Sequence, residues 1–105
     1  MVDIEKLAQI AMEIISYAGT AKSNYILAYE AKKAGNQEEH NDKLMLADQN
    51  FKRAHEVHLG LLSEEMKTQT PQICLLLAHA EDQLMSVETI KFLTKELSQF
   101  VSADK

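Results

Sequence analysis

The sequence predicts an all-α protein, an antiparallel three-helix bundle running up, down and up. Three observations carry this. The chain holds only 3 glycines and 1 proline in 105 residues, and long stretches are rich in Ala, Leu, Glu, Lys and Met, all good helix formers. Apolar residues recur three and four positions apart, the spacing of one helix face. Two short breaks, at Gly35 and before Pro71, divide the chain into three such stretches. With 46% apolar residues there is material for one compact core, so residues 1–105 are expected to form a single domain.

Helix one is expected over about 3–34. Its stripe is Ile4, Leu7, Ala8, Ala11, Ile14, Ile15, Ala18, Ala21, Tyr25 and Ala28. Lys32 and Lys33 suit the negative end of the helix dipole, and Gly35 suits the left-handed turn that ends a helix. Gly19, inside the helix, marks a bend or the close approach of a neighbour. Asn36 and Glu39 have the spacing of an N-terminal cap with a reciprocal acid, so helix two is expected over about 37–66, with Leu44, Ala47, Phe51, Ala54, His58 and Leu61 facing inward. Lys67 to Thr70 is polar. Helix three is expected from Pro71, a favoured first helical position, to about Val101. Short connections then force the three helices to lie antiparallel.

Charge and hydropathy exclude several classes of function. The net charge is -5 and the lysines are scattered, so nothing resembles the cationic footprint that grips nucleic acid. The longest apolar run, Ile73 to Ala78, is far short of the roughly 20 residues of a membrane span. The start, with Asp3 and Glu5, does not read as a signal peptide. A lone cysteine, Cys74, agrees with a reducing compartment, and a cytoplasmic location is expected.

Helix three is apolar on two sides. Ile73, Leu76, Leu77, Ala80, Leu84 and Val87 share the face that closes the core, while Leu75, Ala78, Met85, Leu93 and Phe100 lie roughly opposite. A helix apolar on both sides must be covered on both, which predicts self-association with helix three innermost and closed cyclic symmetry. Asp82 falls in the middle of the second face, where an unpaired carboxylate is costly. In a threefold assembly three copies of Asp82 would converge and could hold one hard divalent cation; a neutralised or water-bridged interface aspartate fits the same position. His79 lies at the boundary of the two faces, on a strip shared with Gln72, Gln83 and Ser86, between the small residues Ala78 and Ala80. A neutral imidazole there could accept a phosphoryl group, though a histidine at a helix boundary is more often a hydrogen-bonded structural residue. Spacing alone leaves its role open.

The run from Leu75 to Met85, Leu-Leu-Leu-Ala-His-Ala-Glu-Asp-Gln-Leu-Met, resembles the signature H-[AG]-Q-D-H-L-M of the lactose/cellobiose-type IIA component of the bacterial sugar phosphotransferase system. Tyr17-Ala18-Gly19-Thr20-Ala21-Lys22-Ser23 in helix one and Ala54-His55 in helix two are similar to further segments of that family, and the likeness covers nearly the whole chain. The resemblance implies a homotrimer and a histidine-phosphorylated phosphotransferase component: His79 accepts phosphate from the histidine phosphocarrier HPr and passes it to a cysteine of a IIB component. It implies uptake of a lactose- or cellobiose-like disaccharide, with membrane contact only through the sugar permease complex. It also implies that Asp82 meets its symmetry mates at the trimer axis around one Mg2+ or similar ion. Gln83, Gln72 and Ser86 are the expected supporting residues.

Two positions depart from the family pattern. Glu81 replaces its glutamine, on the far side of the helix from His79, where little effect on transfer is expected. Gln83 replaces its second histidine one turn after His79; it can donate a hydrogen bond to a phosphoryl oxygen but cannot carry charge. His58 stands where the family often has glutamine, so an exchange of roles is conceivable. A phosphorylation-responsive regulatory or adaptor bundle without a transport role is the alternative reading, and a plain oligomerisation module is a third. Elsewhere, His55 and His58 have a possible metal-ligand spacing, with His58 packing near the core as the simpler account. His40 is expected in solvent, Cys74 as an inert packing residue, and Tyr17, Tyr25 and Tyr29 as packing positions.

Overall fold

A computed structural model describes residues 3–101. Residues 1–2 and 102–105, the ends of the span read as one domain, lie outside the described residues. Three helices account for most of the chain: α1 (Ile4–Lys33), α2 (Gln37–Thr68) and α3 (Leu75–Ser98). Together they make a rod of 58 × 18 × 18 Å. The antiparallel order follows from which residues meet. Tyr25 of α1 bonds Asp48 of α2, and His58 and Asp48 of α2 bond Glu81 and Lys95 of α3.

The first turn between helices is built as expected. Asp3 caps α1 by accepting from the Lys6 N–H at 3.1 Å. At the far end Gly35 takes a φ of 80°, open to glycine at little cost, and the Asn36 N–H reaches back to the Ala31 carbonyl at 2.9 Å. Asn36 then caps α2 through the Glu39 N–H at 3.0 Å, while the Glu39 carboxylate accepts from the Asn36 side-chain amide at 3.2 Å. The reciprocity is real, but it runs between side chains, since the Asn36 backbone N–H is already spent on Ala31.

The second turn corrects the expected boundaries. α2 continues to Thr68 and stops at Gln69, which takes the left-handed conformation and donates its N–H to the Glu65 carbonyl at 2.8 Å. Pro71 does not open α3. The segment from 70 to 74 is irregular, and the Gln72 N–H is held by the Glu65 carboxylate at 3.2 Å, which ties this loop to the end of α2. α3 starts after Cys74 and ends at Ser98, three residues before Val101. Ile73, outside the helix, therefore misses the core face and is 70% exposed.

The core runs the length of the rod as a seam of alanines, Ala11, Ala18, Ala21, Ala28, Ala47, Ala54 and Ala80, all fully buried, with Leu7, Ile14, Leu61, Leu77, Leu84 and Val87 filling between them. Alanine at the contact permits the short end of the usual 8–10 Å interhelix separation. Gly19 is no point of close approach: a methyl group built there meets nothing within 4 Å.

Two polar contacts lock the register. Tyr25, with no exposed surface, donates its hydroxyl to Asp48 Oδ1 at 2.5 Å, and Lys95 reaches Asp48 Oδ2 at 3.2 Å, so one carboxylate ties all three helices. His40 is buried, against the expectation that it lies in solvent: its Nδ1 donates to the Ala28 carbonyl at 2.8 Å, across the first turn. Sequence spacing could not reveal a partner twelve residues away.

Burial, then the Asp48 carboxylate that accepts its hydrogen bond, raise the Tyr25 hydroxyl well above the ordinary tyrosine range. Because the folded state holds the neutral phenol, its stabilisation is complete below about pH 10 and is lost as the pH rises beyond that. Chemical denaturation should therefore show wild-type stability declining above about pH 10 more steeply than that of Tyr25→Phe. Asp48→Ala, which strands the buried hydroxyl, should cost about 1–3 kcal/mol at neutral pH.

Candidate functional site

α3 is covered on one side only. Leu77, Ala80, Leu84, Val87, Thr94 and Ser98 are buried against the other two helices, chiefly α1, with Leu76 half-buried beside them. The opposite side is open: Leu75 is 88%, Met85 61% and Phe100 83% exposed, and Ala78 and Leu93 are exposed with them. The predicted second apolar face exists, uncovered in the single chain. Asp82 and Ser86 are exposed on this side.

The four histidines occupy four different environments. His40 is held by Ala28 O inside the first turn. His55 lies over the Phe51 ring, centroid to centroid 6.3 Å. His58 is half-buried and its Nε2 meets the Glu81 carboxylate at 2.8 Å. His79 is exposed, and its ring makes no hydrogen bond to any described residue. Gln83, one turn later, is half-buried beside it.

The amino end of α3 lies just over one turn from His79. Cys74 occupies the cap position without a side-chain hydrogen bond, and the first turn holds no acidic residue. The positive end of that helix is thus not neutralised locally, and helical side chains lean toward it. Cys74 is half-buried and packs against the core, in line with an inert packing role.

Gln72 departs from the expected strip. It precedes α3, its side-chain amide donates to the Thr70 carbonyl at 3.0 Å, and it lines a separate cavity of ≈ 560 Å³ between the start of α1 and the end of α2. Glu81 also differs from expectation, because its partner is His58 on α2. His58 cannot replace the missing histidine at Gln83 within one chain, since it sits on the α2 flank of α3 and His79 on the other. The His58–Glu81 bond joins α2 to α3, and spacing within one helix could not disclose it.

Asp82 is exposed on the open face, and among the described residues no three His, Cys, Asp or Glu side chains converge to hold a metal ion. Its oxygen donors suit a hard cation, and further ligands would have to come from other copies. No helix among the described residues is long and apolar enough to cross a membrane.

Comparison with known proteins gives this geometry its context. The family described as PTS system, Lactose/Cellobiose specific IIA subunit, matches residues 9–102. The oligo-beta-mannoside-specific EIIA component of Bacillus subtilis is 35% identical over 89 residues, covering 85% of this chain and 81% of that one. The lichenan-specific phosphotransferase enzyme IIA component of the same organism is 32% identical, covering 89% of this chain and 84% of the relative. The crystal structure of the PTS cellobiose-specific enzyme IIA from Bacillus anthracis superposes with a TM-score of 0.86 at 28% identity, over 96% of this chain and 91% of that one. A three-helix fold, an open apolar face and these matches together show that the chain belongs to the lactose/cellobiose-specific IIA family and is a phosphoryl-carrying component of the sugar phosphotransferase system.

Proposed function

We propose that His79 is the residue that carries the phosphoryl group, taking it from HPr and delivering it to a cysteine of a IIB component during uptake of a lactose- or cellobiose-like disaccharide. The observation that carries this reading is the contrast among the four histidines. His40 and His58 are tied by hydrogen bonds; His55 is exposed but stacked with Phe51 on α2, whereas His79 is exposed with no ring partner, at the edge of the open apolar face of α3. It also stands in the segment that resembles the family signature.

The chemistry asks little of the protein. A ring nitrogen of His79 attacks phosphorus as the bond from phosphorus to the donor's imidazole breaks, and that electron pair returns to the donor. Transfer onward reverses the step: a thiolate attacks, and the pair returns to His79. Positioning and charge neutralisation supply most of the help such transfers need. Gln83 can donate to a phosphoryl oxygen, and the uncapped amino end of α3 adds a favourable field. Ser86 lies on the same flank, and Gln72 acts only through the loop that leads into the helix.

The uncovered face of α3 supports a homotrimer with α3 innermost, because exposed Leu75, Met85, Leu93 and Phe100 are covered if three copies associate. Asp82 would then stand near the axis in triplicate, and three carboxylates with one Mg2+ or similar ion would relieve their mutual repulsion. The carrier would work in the cytoplasm and meet the membrane only through the permease complex.

Phosphoenolpyruvate, enzyme I and HPr should add one acid-labile phosphoryl group, read by intact mass. His79→Gln should abolish it with stability unchanged within about 0.5 kcal/mol, since the ring is exposed and unbonded. Label that reaches no IIB protein would instead favour the regulatory adaptor. Sedimentation should give three times the 11.9 kDa chain mass. Chelation with EDTA should lower the melting temperature of the wild type and leave that of Asp82→Asn unchanged; equal responses would remove the axial ion.

A further inference from the structure

The cavity of ≈ 560 Å³ between the start of α1 and the end of α2 belongs to none of the chemistry described above. Gly60, which lines it, lies about 160° around α2 from His58, the residue that faces α3. The cavity therefore opens away from α3 and away from the apolar face that an association through α3 would cover. Its floor is aliphatic, formed by buried Leu7 and Leu61 with half-buried Ile10 and Val57. Its rim is polar, with Lys6 on α1, Glu64 on α2 and Gln72 in the loop that leads into α3.

Two features set this cavity apart from an ordinary surface crevice, and its volume falls in the range of small-molecule sites. Glycine is a poor helix former, yet Gly60 stands in the interior of α2, and a methyl group built there meets nothing within 4 Å. Packing within the chain does not ask for glycine at that position. The bare backbone instead forms part of the cavity wall, where a guest can lie close to the helix. The rim is also unspent. Neither Lys6 nor Glu64 is in an ion pair with a described residue, and the Gln72 side chain uses its amide N–H on Thr70 and keeps its carbonyl oxygen free.

The chemistry of the lining selects the guest. A cation or an anion would satisfy one rim charge and oppose the other, whereas a hydroxyl group both donates and accepts and so suits Lys6, Glu64 and Gln72 alike. A pyranose ring carries its hydroxyls around its edge and C–H groups on its faces. With one face on the aliphatic floor, its edge meets the polar rim, and Gly60 leaves room for the ring against α2. We infer that this cavity is a binding site for a neutral sugar, an effector site separate from the phosphoryl-carrying histidine. The inference rests on the lining alone and is independent of which histidine carries the phosphate. An aliphatic floor in place of an aromatic ring makes the binding weak, in the millimolar range.

Titration of the full chain with cellobiose, followed by two-dimensional amide NMR, tests this. Saturable shifts should cluster on the amides of Lys6, Leu7, Gly60 and Gln72. Gly60→Leu, whose side chain fills the space beside α2, should abolish them. Lys6→Ala, at an exposed position that folding does not depend on, should weaken binding roughly tenfold through the loss of one charged hydrogen bond. Phosphorylated cellobiose should bind more weakly than the neutral sugar, because the carboxylates of Asp3 and Glu64 oppose the added charge. Absence of saturable shifts at these amides in the folded wild type would overturn the inference, as would equal shifts with glycerol, undiminished binding by folded Gly60→Leu or Lys6→Ala, or tighter binding of the phosphorylated sugar. Failure of His79 to accept phosphate would overturn the carrier reading and leave this one standing, since the titration involves no phosphoryl transfer.

Discussion

Everything in this rod depends on the alanine seam. With Ala11, Ala18 and Ala21 of α1 in one buried cluster with Ala47, Ala54 and Ala80 of the other helices, small side chains permit a close approach of the backbones along the contact. Close packing resists sliding, because shifting a helix by even part of a turn drives side chains into backbone. The polar ties at Tyr25–Asp48–Lys95 and His40–Ala28 are matched to one register only. They contribute specificity as much as energy. The height of each α3 residue against α2 is thereby set, and the pairing of His58 with Glu81 follows from it.

The seam also explains why the surface of α3 is divided as it is. Because α3 lies chiefly against α1 and meets α2 over a shorter stretch, a groove remains between α2 and α3 and half of α3 is left open. Such a helix is incomplete by itself. Its apolar residues call for cover, and its one untied histidine sits at the edge of the region that cover would reach. The position suits the proposed role of His79: the ring is accessible while the helix beneath it holds the approach geometry constant.

Much of the fold was legible in the residues, and the reasons are local. The α1 stripe, the basic last turn and the Gly35–Asn36 break define the first two helices within about two residues, because capping and periodicity are short-range signals. The start of α3 was not legible. Pro71 is compatible both with a first helical position and with an extended loop, and the local residues do not separate the two; in the fold the loop is tied to α2 through the Glu65 side chain. Burial of His40 and the His58–Glu81 bond were hidden for the same reason, since each joins residues that only the tertiary register brings together. The open face of α3 and the singular position of His79 were visible in the helical projection. What that histidine does was not; the family signature around it supplied the reading, and no spacing rule could.

The central claim is that this one imidazole carries the phosphate, and the most direct measurement is the location of the modification in the wild-type protein. Tandem mass spectrometry of peptides prepared at neutral to alkaline pH, where phosphohistidine survives, should find the phosphoryl group on His79 alone. Its appearance on His40, His55 or His58, or on a carboxylate, would contradict the account.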